Sequence, residues 1–174
     1  DACSDGDVVI VTNGTYDTGT RVTPGYSLLN RVVITNSILV KSVNGPDVTL
    51  IVGQGPLGDD AVRCVFITNG ILEGFTLTNG HTKTAWLDEL PECETSGGGA
   101  YALGGTLTNC VLVANSASSG GGIYSGTLYD CIILSNSASF GGGSSYGALY
   151  NCSLIGNSAN GDLTVGGSGG GAYG

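Results

Sequence analysis

Apolar residues come in short runs along the second half of the chain: VLVA at 111–114, CIIL at 131–134 and CSLI at 152–155. Glycine, serine, threonine and asparagine fill the stretches between them. Runs of this length and composition suit short strands joined by bends. Leu107, Cys110 and Leu112 alternate with Thr108, Val111 and Val113, which predicts an inward first set and an outward second set. The outward positions are themselves apolar at Val111/Ile132 and Val113/Leu134/Ile155, two stripes that predict a contact surface.

The runs recur at a fixed interval. Cys110, Cys131 and Cys152 are evenly spaced, and Leu107/Leu128/Leu149, Asn115/Asn136/Asn157 and Ala117/Ala138/Ala159 keep the same step. A period of about 20 residues predicts stacked repeats, and helical repeats need about 30 residues or more per unit. The LxxLxLxxN frame of leucine-rich repeats is absent. The expected fold is therefore all-β: a right-handed parallel β-helix with ~21-residue coils, its handedness following the rule for parallel crossovers. Equivalent residues then stack about 4.8 Å apart as ladders. Cys110, Cys131 and Cys152 form one inward column, and an Asn115–Asn136–Asn157 ladder bonds to itself and to turn backbone, with αL geometry open to asparagine at a bend. The Gly triplets at 97–99, 120–122 and 141–143 allow sharp turns and close approach of neighbouring coils.

The first half carries a looser version. VTNG (11–14), ITNS (34–37), ITNG (67–70) and LTNG (77–80) end apolar runs, with Asn13 and Asn36 separated by nearly the same step. Phe75 occupies the slot of Cys110, one longer unit earlier. QGPLGDD (54–60) and HTKTAWLDELPECETS (81–96) interrupt the period. The expected organisation is one domain, 1–174, with an irregular, decorated part at 1–96 and regular units at 97–174. The second insertion is expected to leave the stack as a solvated loop that can be deleted without loss of fold.

GDVVIVTNGTY, VKSVNGPDVTLIVG, RCVFITNGILEGFTLTNG and the GGGxY…TLxNCxLxxNSA units resemble right-handed parallel β-helix repeat proteins, large secreted or surface proteins of environmental bacteria. They are distantly similar to the repeats of chlamydial polymorphic outer-membrane proteins. The resemblance implies the fold and an extracellular or cell-surface location.

Charge narrows the partners. Only 11% of residues are charged and the net charge is −9, which disfavours nucleic acid and anionic membrane surfaces as partners. No apolar run approaches the ~20 residues of a membrane-spanning helix, so membrane insertion is not expected. All basic residues precede position 84, and beyond Glu94 only Asp130 and Asp162 are charged.

Candidate chemistry is sparse. Asp59 and Asp60 are adjacent, and Asp88, Glu89, Glu92 and Glu94 crowd one insertion, with Ca²⁺ the only candidate ion and no cofactor expected. His81 is the sole histidine and has no nucleophile in a recognisable context, so no catalytic residue is assigned. His81, Trp86, Asp88 and Glu89 mark the candidate ligand or partner loop, where Trp86 can stack on a sugar or dock on the repeat stack. The thiol column is expected to stay unbridged, while one disulfide is expected among Cys3, Cys64 and Cys93. The chain opens at DACSDGD almost directly on its first strand, and it stops at GGGAYG in the opening of another unit. Open strand edges are thus expected at both ends, filled by other copies or by more of a longer chain, with Val9 and Ile10 on one such edge. The expected function is structural, through head-to-tail self-assembly or adhesion at the cell surface; the alternative is a module that binds or cleaves polysaccharide.

Overall fold

A computed structural model describes residues 3–84, 90–161 and 166–174. The described residues are almost entirely strands and bends, with a helical turn at Glu92–Thr95. Three sheets dominate, and the chain visits them in a fixed cycle. The first sheet holds Val8–Val11, Leu39–Ser42, Ile71–Glu73, Thr106–Thr108, Thr127–Tyr129 and Ala148–Tyr150. The second holds Gly14–Tyr16, Thr49–Val52, Thr76–Thr78, Val111–Val113, Ile132–Leu134 and Ser153–Ile155. The third holds Leu29–Ile34, Val62–Ile67, Ala100–Tyr101, Ile123–Tyr124, Ser144–Ser145 and Ala172–Tyr173. Pairing within these rows is parallel; the exception is Arg21–Val22, which folds back antiparallel on Leu29–Ile34 and closes part of that edge of the third sheet.

Register follows the sequence period in the second half. Leu107 pairs with Leu128 and Leu128 with Leu149, the step that the cysteines keep. Thr76 pairs with Val111, so Phe75 does precede Cys110 in its column. Leu107, Cys110, Leu112, Leu128, Cys131 and Ile133 are essentially inaccessible, while Val111 and Val113 are half-buried, as the alternation requires. Burying each leucine or isoleucine contributes ~1.5–3 kcal/mol, which makes this row the main apolar term.

The first half corrects the expectation. Its steps are longer, as the pairing of Val8 with Leu39 and of Leu29 with Val62 shows. Val11 and Ile34 lie in different sheets, so the spacing of Asn13 and Asn36 is not a register step. The x-T-N motif marks a bend after a strand of any sheet; only ITNS and ITNG are true counterparts, through Ile34 and Ile67.

Each position of the glycine triplet does a different job. Gly97, Gly120 and Gly141 turn the chain at φ of +69°, +60° and +57°. The second glycine abuts the opposite side of the stack: a Cβ would lie 2.4 Å from Ser116 O on Gly98, 2.2 Å from Ser137 O on Gly121 and 2.1 Å from Ser158 O on Gly142. The third meets the next unit, where a Cβ on Gly122 would sit 2.5 Å from Gly143 O. No side chain fits between these backbones.

Asparagine completes the column. Asn115 N and Nδ2 both donate to Asn136 Oδ1, at 2.9 and 3.0 Å. Asn136 N and Nδ2 donate to Asn157 Oδ1, both at 3.0 Å. Each Nδ2 also reaches a second-sheet carbonyl, Leu77, Leu112 or Ile133. Left-handed geometry falls elsewhere, at Asn109, Asp130 and Asn151 and at Ala114, Ser135 and Gly156, each set recurring once per unit. The ladder asparagines therefore serve as hydrogen-bonding groups, and their neighbours make the bends.

Gly121→Ala is expected to destabilise by at least about 2 kcal/mol, because its Cβ would meet the backbone oxygens of Ser137 and Gly142 at 2.2 and 2.6 Å, and neither can yield. Ala114→Gly, at φ +55°, is expected to stabilise by ~0.5–1 kcal/mol, as removing Cβ relieves left-handed strain. Chemical denaturation measures both; equal midpoints for parent and Gly121→Ala would refute the backbone contact.

Candidate functional site

Of the candidate loop residues, Trp86, Asp88 and Glu89 lie outside the described residues. His81 is described and is integrated in the stack. It bridges to Ser116, its Nδ1 lies 3.0 Å from Asn79 O, and its ring packs over Gly55, where a Cβ would come within 2.6 Å of Cε1. The histidine thus joins the 54–60 insertion to the repeat units.

The 81–96 insertion does not leave the stack at either end. Its last residue, Ser96, bridges to Ser119; Thr82 is fully buried and donates from Oγ1 to Thr95 O at 3.1 Å. Cys93, Glu94 and Thr95 in the helical turn are buried as well. The cause lies in Arg63, a guanidinium with no exposure. Its Nε donates to Gly97 O at 2.9 Å, Nη1 to Asn30 Oδ1 at 3.0 Å, and Nη2 to Cys93 O at 2.5 Å and Ser96 O at 2.9 Å. The same group lies 5.9 Å from the Phe66 ring centroid and 5.4 Å from that of Tyr101. Burial pushes its pKa down to about 10, so it stays charged at neutral pH. Two of its acceptors, Cys93 O and Ser96 O, belong to the insertion, and hydrogen bonds to a charged group contribute ~1.5–3 kcal/mol each, so the insertion acts as a structural strap.

Glu94 secures the strap from the other direction. Its Oε1 accepts from Ser27 N at 2.5 Å, Ser27 Oγ at 2.8 Å and Leu28 N at 2.8 Å, in the turn beside Arg21–Val22. Lys83 Nζ donates to Ser27 Oγ and, at 3.3 Å, to Glu94 Oε2. Burial raises the carboxyl pKa, but these donors more than offset it and hold it below its ordinary value. The reading of Glu94 as part of a solvated acidic loop is therefore corrected. Glu92 accepts from Tyr124 Oη at 2.7 Å and ties the strap to a further repeat unit. Beneath it run Phe66, Tyr101 and Tyr124, stacked at 5.6 and 5.3 Å.

Sequence reasoning overlooked Arg63. The available signal was a lone arginine opening the apolar run VRCVFI, where neither face of the strand meets water. Among the described residues no group of three or more His, Cys, Asp or Glu side chains gathers as a metal site.

Cys110, Cys131 and Cys152 lie one above another in successive units. Cys110 N donates to Cys131 Sγ at 3.4 Å, and the three thiols point to Thr108, Tyr129 and Tyr150 carbonyls at 3.2–3.3 Å. Cys3, Cys64 and Cys93 are also free thiols, so the expected disulfide among them is absent. Burial pushes Cys64 up to about 12. The hydrogen bond with Cys110, then burial, pushes Cys131 well above its ordinary range. Cys64 and Cys131 are thus inert packing groups.

Among the described residues of the strap, Lys83, Glu92 and Glu94 are each engaged in hydrogen bonds. No family model, curated protein or solved structure matches the chain.

Glu94→Gln is expected to cost ~1–3 kcal/mol at neutral pH, the worth of hydrogen bonds to a charged acceptor. Because the folded-state pKa is depressed, this stabilisation is present above the ordinary carboxylate pKa and is lost as pH falls through the folded value. Denaturation between about pH 6 and pH 3 should show the stability difference between parent and Glu94→Gln shrinking as pH falls; a difference that is zero or constant with pH would refute the clasp. A thiol count under denaturing, non-reducing conditions should find six, and Cys131→Ser should cost ~1–3 kcal/mol as a poorly satisfied buried hydroxyl.

Proposed function

We propose that the chain is a right-handed parallel β-helix serving as an extracellular or cell-surface structural element, extended head to tail by a further copy. The cyclic order of the sheets and the constant register of the later units support the fold. Handedness follows from the rule for parallel crossovers.

The observation that carries the assembly is the pairing pattern of Val8–Val11. Asp7 O and Val11 O accept from Leu39 N and Val43 N. In a parallel ladder successive residues face opposite edges, so the N–H and C=O of Ile10 point away from this partner. The strands Ala148–Tyr150 and Ser153–Ile155 offer rows of the same orientation at the far end of their sheets. Joining such edges satisfies backbone groups and covers the terminal core layer, and a heterologous contact of this kind propagates into a fibre. The turn at 21–30 closes part of the third-sheet edge, so a copy adds through the first two sheets. Ile132 and Ile155, 42% and 53% exposed on the second sheet, supply lateral apolar contacts.

Val9 packs against the core cluster, whereas Ile10 is 58% exposed. Of the two candidate edge residues, Ile10 is therefore the clean probe, and Val9→Lys would disturb the core. Ile10→Pro removes an edge donor and should leave soluble, folded monomers by sedimentation velocity, while the parent forms thin fibres in negative stain. A parent that stays monomeric at high concentration, or a variant that polymerises equally, would overturn the proposal.

A further inference from the structure

Eight tyrosines occur in the chain, and one pair differs from the rest. Tyr129 and Tyr150 are register partners on the outer side of the first sheet. Their rings stack at 5.0 Å between centroids with planes 15° apart, and they are 43% and 54% exposed. Other close tyrosine pairs lack this combination. Tyr101 and Tyr124 stack at 5.3 Å but are each only 7% exposed, under the strap. Tyr146 meets Tyr124 and Tyr173 edge-on, at 74° and 73°. The residues after the exposed pair are tied together, because Asn151 Nδ2 donates to Asp130 Oδ1.

Stacking has a chemical consequence. The facing π surfaces of the two rings cover each other, which disfavours a sugar platform at this point. The ring edges, with the hydroxyl and its ortho carbons, remain open to solvent.

We propose that Tyr129 and Tyr150 are a site of oxidative cross-linking, joined as dityrosine by a one-electron phenol oxidant of the haem peroxidase class using hydrogen peroxide. The oxidant removes one electron and the phenolic proton from each ring. The two phenoxyl radicals combine through the Cε carbons ortho to oxygen, forming one C–C bond. Each coupled carbon then loses its hydrogen as a proton, the oxygen regains one, and both rings become aromatic again. One peroxide is reduced to two waters per cross-link. Both side chains are exposed, so they can rotate from the stack to bring these edges together. The bond welds two successive units and limits the freedom of the unfolded chain.

The test is to treat the folded protein at low concentration with a haem peroxidase and hydrogen peroxide. The expected product is a monomer with dityrosine fluorescence, a mass lower by two hydrogens, a raised melting midpoint, and a digest in which the peptides carrying Tyr129 and Tyr150 are linked. Tyr129→Phe and Tyr150→Phe, which keep the ring and its packing, should each lose the monomer signal, while Tyr146→Phe keeps it. A link mapped to other tyrosines, links only between molecules, no link in the folded parent, or an undiminished signal in Tyr129→Phe would each overturn the proposal.

Discussion

Gly98, Gly121 and Gly142 lie where a methyl group would have to share space with the carbonyl oxygen of Ser116, Ser137 or Ser158. At this side of the stack two stretches of backbone touch directly, and the rest of the architecture follows from that contact. Interiors are normally filled by side chains at crystal-like density; here the filling is main chain itself. Buried main chain must have its hydrogen bonds made, because each unpaired group costs ~1–3 kcal/mol. The column Asn115–Asn136–Asn157 meets that demand by linking each unit's amide to the next unit's side chain. Leucine, isoleucine, valine and cysteine from all three sheets then fill the wider part.

The same logic explains the contrast between the halves. Regular units need almost no charge, since ladders of identical residues satisfy one another. Where insertions break the period, charges appear and take the place of the ladders. Arg63 gathers carbonyl oxygens of the strap and of Gly97 together with the amide oxygen of Asn30, and Glu94 gathers the amides of Ser27 and Leu28. A strap fixed by one buried cation and one buried carboxylate protects the aromatic row Phe66–Tyr101–Tyr124, which would otherwise be an apolar outer face.

The regular units were legible because a ladder repeats its physics at every step: equal spacing of Cys110, Cys131 and Cys152 already implied the parallel register. The roles of the three glycines and of the ladder asparagines were only half legible. Sequence gives the residue that tolerates a bend, but Ala114 and Ser135 bend while Asn115 and Asn136 do not. The strap was missed for a different reason. Arg63 and Glu94 are distant in sequence, and nothing local in HTKTAWLDELPECETS distinguishes a docked turn from a solvated one. Its docking depends on a cation placed by a strand of another unit. The pairing of Tyr129 with Tyr150 was implied by the period, yet their stacking became visible only with the bends in place.

Site-resolved amide hydrogen exchange addresses the backbone contact and its polar ladder most directly. The account predicts that the main-chain amides of Asn115 and Asn136 exchange only through global unfolding, as slowly as those of Leu112 and Ile133, although they follow residues in left-handed bends. Exchange of Asn115 and Asn136 at the rate of exposed bends, with the strands still protected, would contradict it.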